Sequence, residues 1–226
     1  MTHILDRPVW NTLHTSHAPL AIGGPLAVRF PPSIVPFAAA ADDTPASLDA
    51  LAALPGPGET MILVQANPIV LPPQLAVVAE GELVQMTADR PHERITDPRI
   101  EPLDDSDAAD MLALALLTKP GPFTLGAQRL GQFWGVKVDG RLVAMAGQRM
   151  RVPGYGELSG LCTHPDFQGR GFGTLLFRFV AGEIAARGEI SFLHAYASNT
   201  PAVGLYKALG FSIRSAMNMR AVQLPS

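Results

Sequence analysis

Apolar and polar residues alternate most legibly in the second half of this chain. Asp104, Asp105, Ser106 and Asp107 precede the apolar stretch Ala108–Leu117. Acidic and capping residues in that position mark a helix start, and Lys119-Pro120-Gly121-Pro122 ends the helix. Phe133–Val138 and Arg141–Gln148 read as two strands joined by the hairpin signal Asp139-Gly140. A second turn, Pro153-Gly154-Tyr155-Gly156, leads into a strand over Glu157–Thr163. Phe172, Leu175, Leu176, Phe179, Val180 and Ile184 recur at three- and four-residue spacing, which predicts an amphipathic helix closed by Gly188. Ile190–Ala195 is a strand. Thr200-Pro201 opens a last helix, Gly210 ends it, and Phe211–Met217 and Met219–Leu224 are two closing strands.

The first hundred residues are less regular. Leu5, Val9, Trp10 and Leu13 predict a short amphipathic helix over residues 5–16, and Leu26–Phe30 a strand stopped by Pro31-Pro32. Thr44 is placed as an N-cap with Pro45 at the first helical position, and Pro55-Gly56-Pro57-Gly58 ends that helix. Met61–Gln65, Leu83–Thr87 and, more weakly, Leu75–Ala79 are strands. Residues 89–106 read as a linker or exposed crossing segment. From residue 107 the order is α-β-β-β-α-β-α-β, which implies a layered α/β or α+β domain. The division expected is a smaller N-terminal α/β domain over residues 1–100 and a second domain over residues 101–226.

Composition narrows the class. With 47% apolar and 16% charged residues, the chain of 226 residues is expected to fold as a globular protein. A formal net charge of −3 offers no electrostatic attraction for nucleic acid or an anionic membrane surface, so neither is expected as a partner. The single cysteine, Cys162, excludes an internal disulfide framework. The stretch Met1–Pro8 lacks the basic-then-apolar order of a signal peptide, and no apolar run reaches membrane-spanning length. A cytoplasmic location is expected. His3, His14 and His17 have no cysteine or carboxylate cluster around them, and no metal is expected.

Chemistry concentrates in Thr163-His164-Pro165-Asp166-Phe167-Gln168-Gly169-Arg170-Gly171-Phe172-Gly173, between a strand and a helix. Three glycines at alternate positions let successive backbone N–H groups point into one concavity, and the following helix adds its unpaired donors and positive dipole end. A phosphate or pyrophosphate suits such a place. The Lys-Ser/Thr ending of a P-loop is missing, because Gly173 is followed by Thr174-Leu175.

Residues 107–226 resemble the GNAT superfamily of acyl-CoA-dependent N-acyltransferases. Gln168-Gly169-Arg170-Gly171-Phe172-Gly173 is similar to that family's Gln/Arg-x-x-Gly-x-Gly/Ala motif. Leu161-Cys162-Thr163-His164-Pro165 resembles the strand-to-loop segment ahead of it. Asn199-Thr200-Pro201-Ala202 and Leu205-Tyr206-Lys207-Ala208-Leu209-Gly210-Phe211 resemble later elements of the family. The resemblance implies a mixed, mainly antiparallel sheet flanked by helices. Some members are tandem, so residues 1–100 are read as a degenerate second copy. It implies acetyl-CoA as co-substrate, its pyrophosphate on Gln168, Gly169, Arg170, Gly171, Phe172, Gly173 and Thr174. The strands Glu157–Thr163 and Ile190–Ala195 are then expected to splay, so that backbone groups of Leu161, Cys162 and Thr163 pair with the amide-bearing arm of CoA, and Asn199 touches the cofactor or caps its helix.

The implied reaction moves an acetyl group directly to a primary amine of a small-molecule or peptide acceptor. Tyr206 matches the tyrosine that protonates the departing thiolate, and Glu157 sits where some relatives place a base. Buried aromatic packing for Tyr206 and an edge-strand carboxylate for Glu157 stay open, as does His194 as a second candidate base. Cys162 with His164 is a weaker candidate for a covalent nucleophile, since a thiol inside an apolar strand is ordinary. The acceptor region falls on residues 107–130 and 149–156, where Arg149 and Arg151 are either solvated or meet a carboxylate. A non-catalytic acyl-CoA-binding module is the rival reading, and a homodimer stays open.

Overall fold

A computed structural model describes residues 3–225; Met1, Thr2 and Ser226 lie outside it, and with them the first two positions of the stretch weighed as a signal peptide. The chain opens with α1 (Pro8–Leu13), a small antiparallel sheet of β1 (Ile22–Gly23), β2 (Ala27–Arg29) and β3 (Ala38–Ala40), and α2 (Pro45–Ala52). Next come β4 (Met61–Gln65), β5 (Ala76–Ala88), β6 (Ile100–Leu103), α3 (Ala108–Thr118), β7 (Phe133–Val138), β8 (Arg141–Val152) and β9 (Tyr155–Thr163). The chain closes through α4 (Phe172–Ala185), β10 (Ile190–Tyr196), α5 (Thr200–Ala208) and β11 (Phe211–Gln223).

Local signals account for many boundaries. The Thr44 hydroxyl accepts from the Ser47 N–H and caps α2, with Pro45 in its first turn. Lys119 turns left-handed at φ 52° to end α3. Asp139 and Gly140, at φ 51° and 78°, make the tight turn between β7 and β8.

The large sheet has eight strands in the order β4-β11-β5-β10-β9-β8-β7-β6, and only the β9–β10 pairing is parallel. This is the mixed, mainly antiparallel sheet flanked by helices that the resemblance implied. Leu176, Phe177, Val180 and Ile184 of α4 pack one face, against Met86, Leu193 and Phe211. The opposite face is covered by the N-terminal residues Leu5, Val9, Leu13 and Phe30, packed with Val64, Phe192 and Met217.

Several expectations need correction. Residues 89–106 are not wholly a crossing segment, because β6 pairs with β7 from Ile100↔Val136 to Leu103↔Phe133. Leu75–Ala79 and Leu83–Thr87 belong to one strand, β5, and the two expected closing strands are the single long β11. The helix expected over residues 5–16 is a short 3-10 turn, Ile4–Asp6, followed by α1. The boundary at residue 100 does not separate two sheets. β5 lies between β10 and β11 and pairs with both, and β4 forms the outer edge on β11. Residues 1–100 therefore donate strands to the same sheet, and their own three-stranded sheet has strands of only two or three residues.

Candidate active site

β9 and β10 run together for three residue pairs, ending at Glu157↔Phe192, and then part. A bulge in β9 contributes. Between Cys162 and Ser159 this strand carries one residue more than β8, at Gly160–Leu161. Gly160 has φ 65°, and a Cβ there would lie 2.7 Å from the Phe133 ring, so conformation and space both require glycine. The parted strands frame a cavity of about 440 Å³.

One wall carries the residues expected to meet CoA. Leu161, Cys162, Thr163, Gln168, Gly173 and Asn199 line it, with Tyr206. Gly169 and Gly171 adopt φ 74° and 81°, with nothing within 4 Å of a would-be Cβ, and they extend the loop outward as an open concavity. Gly171 is the left-handed N-cap of α4. Among the described residues no backbone carbonyl takes the N–H groups of residues 169–174, so these donors point at a helix N-terminus without a main-chain partner. Arg170 stacks 4.7 Å over the Phe167 ring and donates to the Asp166 carbonyl. Phe172 packs into the core beneath α4, and Thr174 stands in that helix's first turn, so neither is on the cavity wall. Asn199 caps α5 by accepting from the Ala202 N–H at 3.2 Å while also lining the cavity, so its two expected positions coexist.

Tyr206 stacks on Phe177 with ring centroids 5.5 Å apart, and burial pushes its hydroxyl pKa up. A phenol in that state keeps its proton through neutral pH and is available as a donor. Cys162 is a different case. Burial pushes its thiol up to about 11, which removes the thiolate a nucleophile needs. His164 is engaged elsewhere, with its Nε2 2.6 Å from Arg141 and its Nδ1 accepting from the Asp166 N–H. The weaker covalent alternative therefore loses its support.

Glu157 departs from the expected base. Its side chain is fully buried and is absent from the cavity wall. Burial alone would raise its pKa, but Arg149 and His194 outweigh it and lower the carboxyl to about 2. Arg149 donates from Nε to Oε2 at 2.9 Å and from a terminal nitrogen to Oε1 at 2.7 Å, and the Met150 N–H adds 3.1 Å. His194 Nδ1 lies 2.8 Å from Oε1. A carboxylate so committed does not collect a proton from an amine.

His194, in contrast, reaches the cavity wall. Its Nε2 is 2.9 Å from the Gln85 amide nitrogen, which also donates to the Leu5 carbonyl at 2.9 Å. The Gln85 oxygen accepts from Arg214, and Arg214 donates to Asp6 at 2.8 Å. Those two outer partners fix the amide orientation: the Leu5 carbonyl needs a donor and Arg214 needs an acceptor. His194 Nε2 then holds a lone pair, and its Nδ1–H points at Glu157. The chain Asp6–Arg214–Gln85–His194–Glu157–Arg149 is continuous. Two of its members sit on bulges: β8 carries an extra residue at Arg149–Met150 opposite Glu157, and β11 carries Arg214 as an extra residue opposite Gln85. Each bulge re-aims an arginine across the sheet.

Arg149 thus meets a carboxylate, but one inside the protein. Arg151, half exposed, donates to Glu189. Sequence reasoning missed Gln85, Arg214 and the apolar wall made by Phe37, Ile62, Val64 and Leu83. The one signal for Gln85 is an amide inside the apolar run Leu83-Val84-Gln85-Met86. His17, to which no metal was assigned, lies 2.8 Å from the Leu130 carbonyl. Among the described residues no cluster of three or more His, Cys, Asp or Glu side chains could hold a metal ion. No helix of the described residues is long and apolar enough to cross a membrane.

Residues 135–220 match the family model described as FR47-like protein. A segment of 56 residues, 24% of this chain, is 39% identical to the [ribosomal protein bS18]-alanine N-acetyltransferase of Salmonella typhimurium, spanning 38% of that enzyme's length. A GCN5-related N-acetyltransferase from Kribbella flavida shares the fold at TM-score 0.61 and 14% identity, over 99% of this chain and 95% of that one. A crystal structure from Novosphingobium aromaticivorans DSM 12444, assigned to acetyltransferases of the GNAT family, superposes at TM-score 0.93 with 43% identity over 100% of both chains. With its sheet, glycine loop and full-length relative in agreement, the chain belongs to the GNAT family of acetyltransferases.

Proposed function

We propose that this protein transfers an acetyl group from acetyl-CoA directly to a primary amine. The observation that carries this reading is the single cavity into which the backbone of Leu161–Thr163, the Gln168 end of the glycine loop, Asn199 and Tyr206 all converge. The residues present fit CoA. Unpaired N–H groups at the start of α4 suit the pyrophosphate, and strand edges left open beyond Glu157 and Phe192 suit the amides of its arm.

Acyl transfer then needs two proton movements. The amine nitrogen attacks the thioester carbonyl, and its proton passes to His194 Nε2, with Glu157 stabilising the resulting imidazolium through Nδ1–H. Gln85 must release its contact with Nε2 for this to happen, because an amide N–H cannot face a second donor. As the carbon–sulfur bond breaks, the Tyr206 hydroxyl gives its proton to the thiolate, and the phenolate recovers one by way of solvent from His194. Glu157 acts behind His194 as a fixed anion, not as the base.

Calorimetric titration with acetyl-CoA, followed by detection of free CoA thiol in the presence of amines, tests the reading. We expect saturable 1:1 binding and amine-dependent thiol release. Absence of acetyl-CoA binding would overturn it.

A further inference from the structure

Beyond the CoA wall the cavity changes character. Phe37, Ile62, Val64 and Leu83 from the first half of the chain, with Met150 and Met219, make an apolar chamber beside His194. Five of these six side chains are buried in the hydrophobic core, and Phe37 lies under the Arg149 guanidinium at 4.9 Å. The charged residues on the cavity wall are Lys119 and Arg149, both cationic. Arg149 is already neutralised by Glu157, which is buried behind it.

These features select among amines. A second ammonium on the acceptor would meet the Lys119 ammonium and, among the described lining residues, no carboxylate. It would lose its hydration with no opposite charge in return. A carboxylate on the acceptor would find the Arg149 guanidinium already paired with Glu157, leaving only solvent-exposed Lys119, where an ion pair is worth little. An apolar body pays neither cost and gains from leaving water. On the reading that this is an acetyl-CoA-dependent N-acetyltransferase, we propose that its acceptor is a monoamine carried on an apolar, uncharged group, with that group seated against Phe37, Val64, Leu83 and Met219.

The test compares kcat/KM for phenethylamine, putrescine and phenylalanine, with acetyl-CoA binding measured separately by calorimetry. Phenethylamine is expected to exceed each of the others at least tenfold. Leu83→Ala is expected to raise the KM for phenethylamine about fivefold while leaving the acetyl-CoA dissociation constant within twofold. Val64→Asp, if it folds, is expected to narrow the gap to putrescine. The proposal is overturned if putrescine or phenylalanine is preferred, or if acetyl-CoA binds and none of the three amines is acetylated. It is also overturned if hexanoyl-CoA is used as well as acetyl-CoA, because the chamber would then hold the acyl chain. Failure of acetyl-CoA to bind at all sinks the acetyltransferase reading instead, so the two failures are distinguishable.

Discussion

The two walls of the cavity are built in opposite ways. The CoA wall comes mainly from neighbours along the chain: the end of β9, the glycine loop and the first turn of α4 are consecutive. Its chemistry is mostly main-chain, so it depends on backbone dihedrals at a few glycines. The wall proposed for the acceptor, and the polar chain behind it, are assembled from distant pieces. Gln85 meets His194 across 109 positions, and Arg214 meets Asp6 across 208. Its chemistry lies in side chains held by packing and by a buried polar chain. A local, backbone-made site tolerates a variable surrounding sequence, whereas a long-range wall can change without disturbing it. On the proposed function, cofactor binding and acceptor choice are expected to be separable within one sheet.

Substitutions can break this contrast, and the largest effect is expected at Glu157. Glu157→Gln leaves the Arg149 guanidinium buried without its counterion, which costs about 3–5 kcal/mol and should appear as a lower midpoint in chemical denaturation. The same pair predicts an acid sensitivity. The folded carboxyl sits at about 2 and the ordinary value is 4.5, so the unfolded chain binds the proton more readily in between. Stability from this group is present above pH 4.5 and is lost as pH falls towards 2, and the loss should vanish in Glu157→Gln.

On the other wall, Tyr206→Phe is expected to lower kcat by about 10²-fold with acetyl-CoA affinity unchanged, since only a proton donor is removed. If the variant keeps full turnover, the tyrosine is packing and no more. Gly171→Ala forces a residue with a Cβ to φ 81° in the phosphate loop, a strain of roughly 1–2 kcal/mol. If that strain shifts the loop, its N–H groups no longer converge, and the acetyl-CoA dissociation constant is expected to rise about tenfold by calorimetry. Acceptor preference among amines should not move, which keeps the two walls apart. The smallest change is expected at Arg170, exposed and stacked on Phe167: Arg170→Ala should weaken acetyl-CoA by about twofold, and the residual effect should disappear at high salt.

Local rules carried most of the secondary structure. Thr44 before Pro45, Asp139-Gly140 between apolar runs and the stripe from Phe172 to Ile184 each act over a few residues, so the elements they predicted formed. Merged strands were harder to foresee. Glu80 and Gly81 interrupt the apolar pattern of β5, and Asn218 that of β11, yet both strands continue because pairing partners on the neighbouring strands hold them. The same applies to β6, a short strand with a proline, which its edge position in the sheet permits.

The amino-acid sequence by itself determined the phosphate-type loop, the helix that follows it and the tyrosine on α5, because each rests on adjacent residues and on conformations few others can adopt. Only the tertiary structure decided that residues 1–100 share the sheet, that Glu157 is a buried anion behind His194, and that the cavity wall beside His194 is apolar. Those outcomes depend on bulges that turn Arg149 and Arg214 inward and on contacts across more than a hundred positions. Burial and charge compensation are properties of the assembled sheet, and no local pattern encodes them.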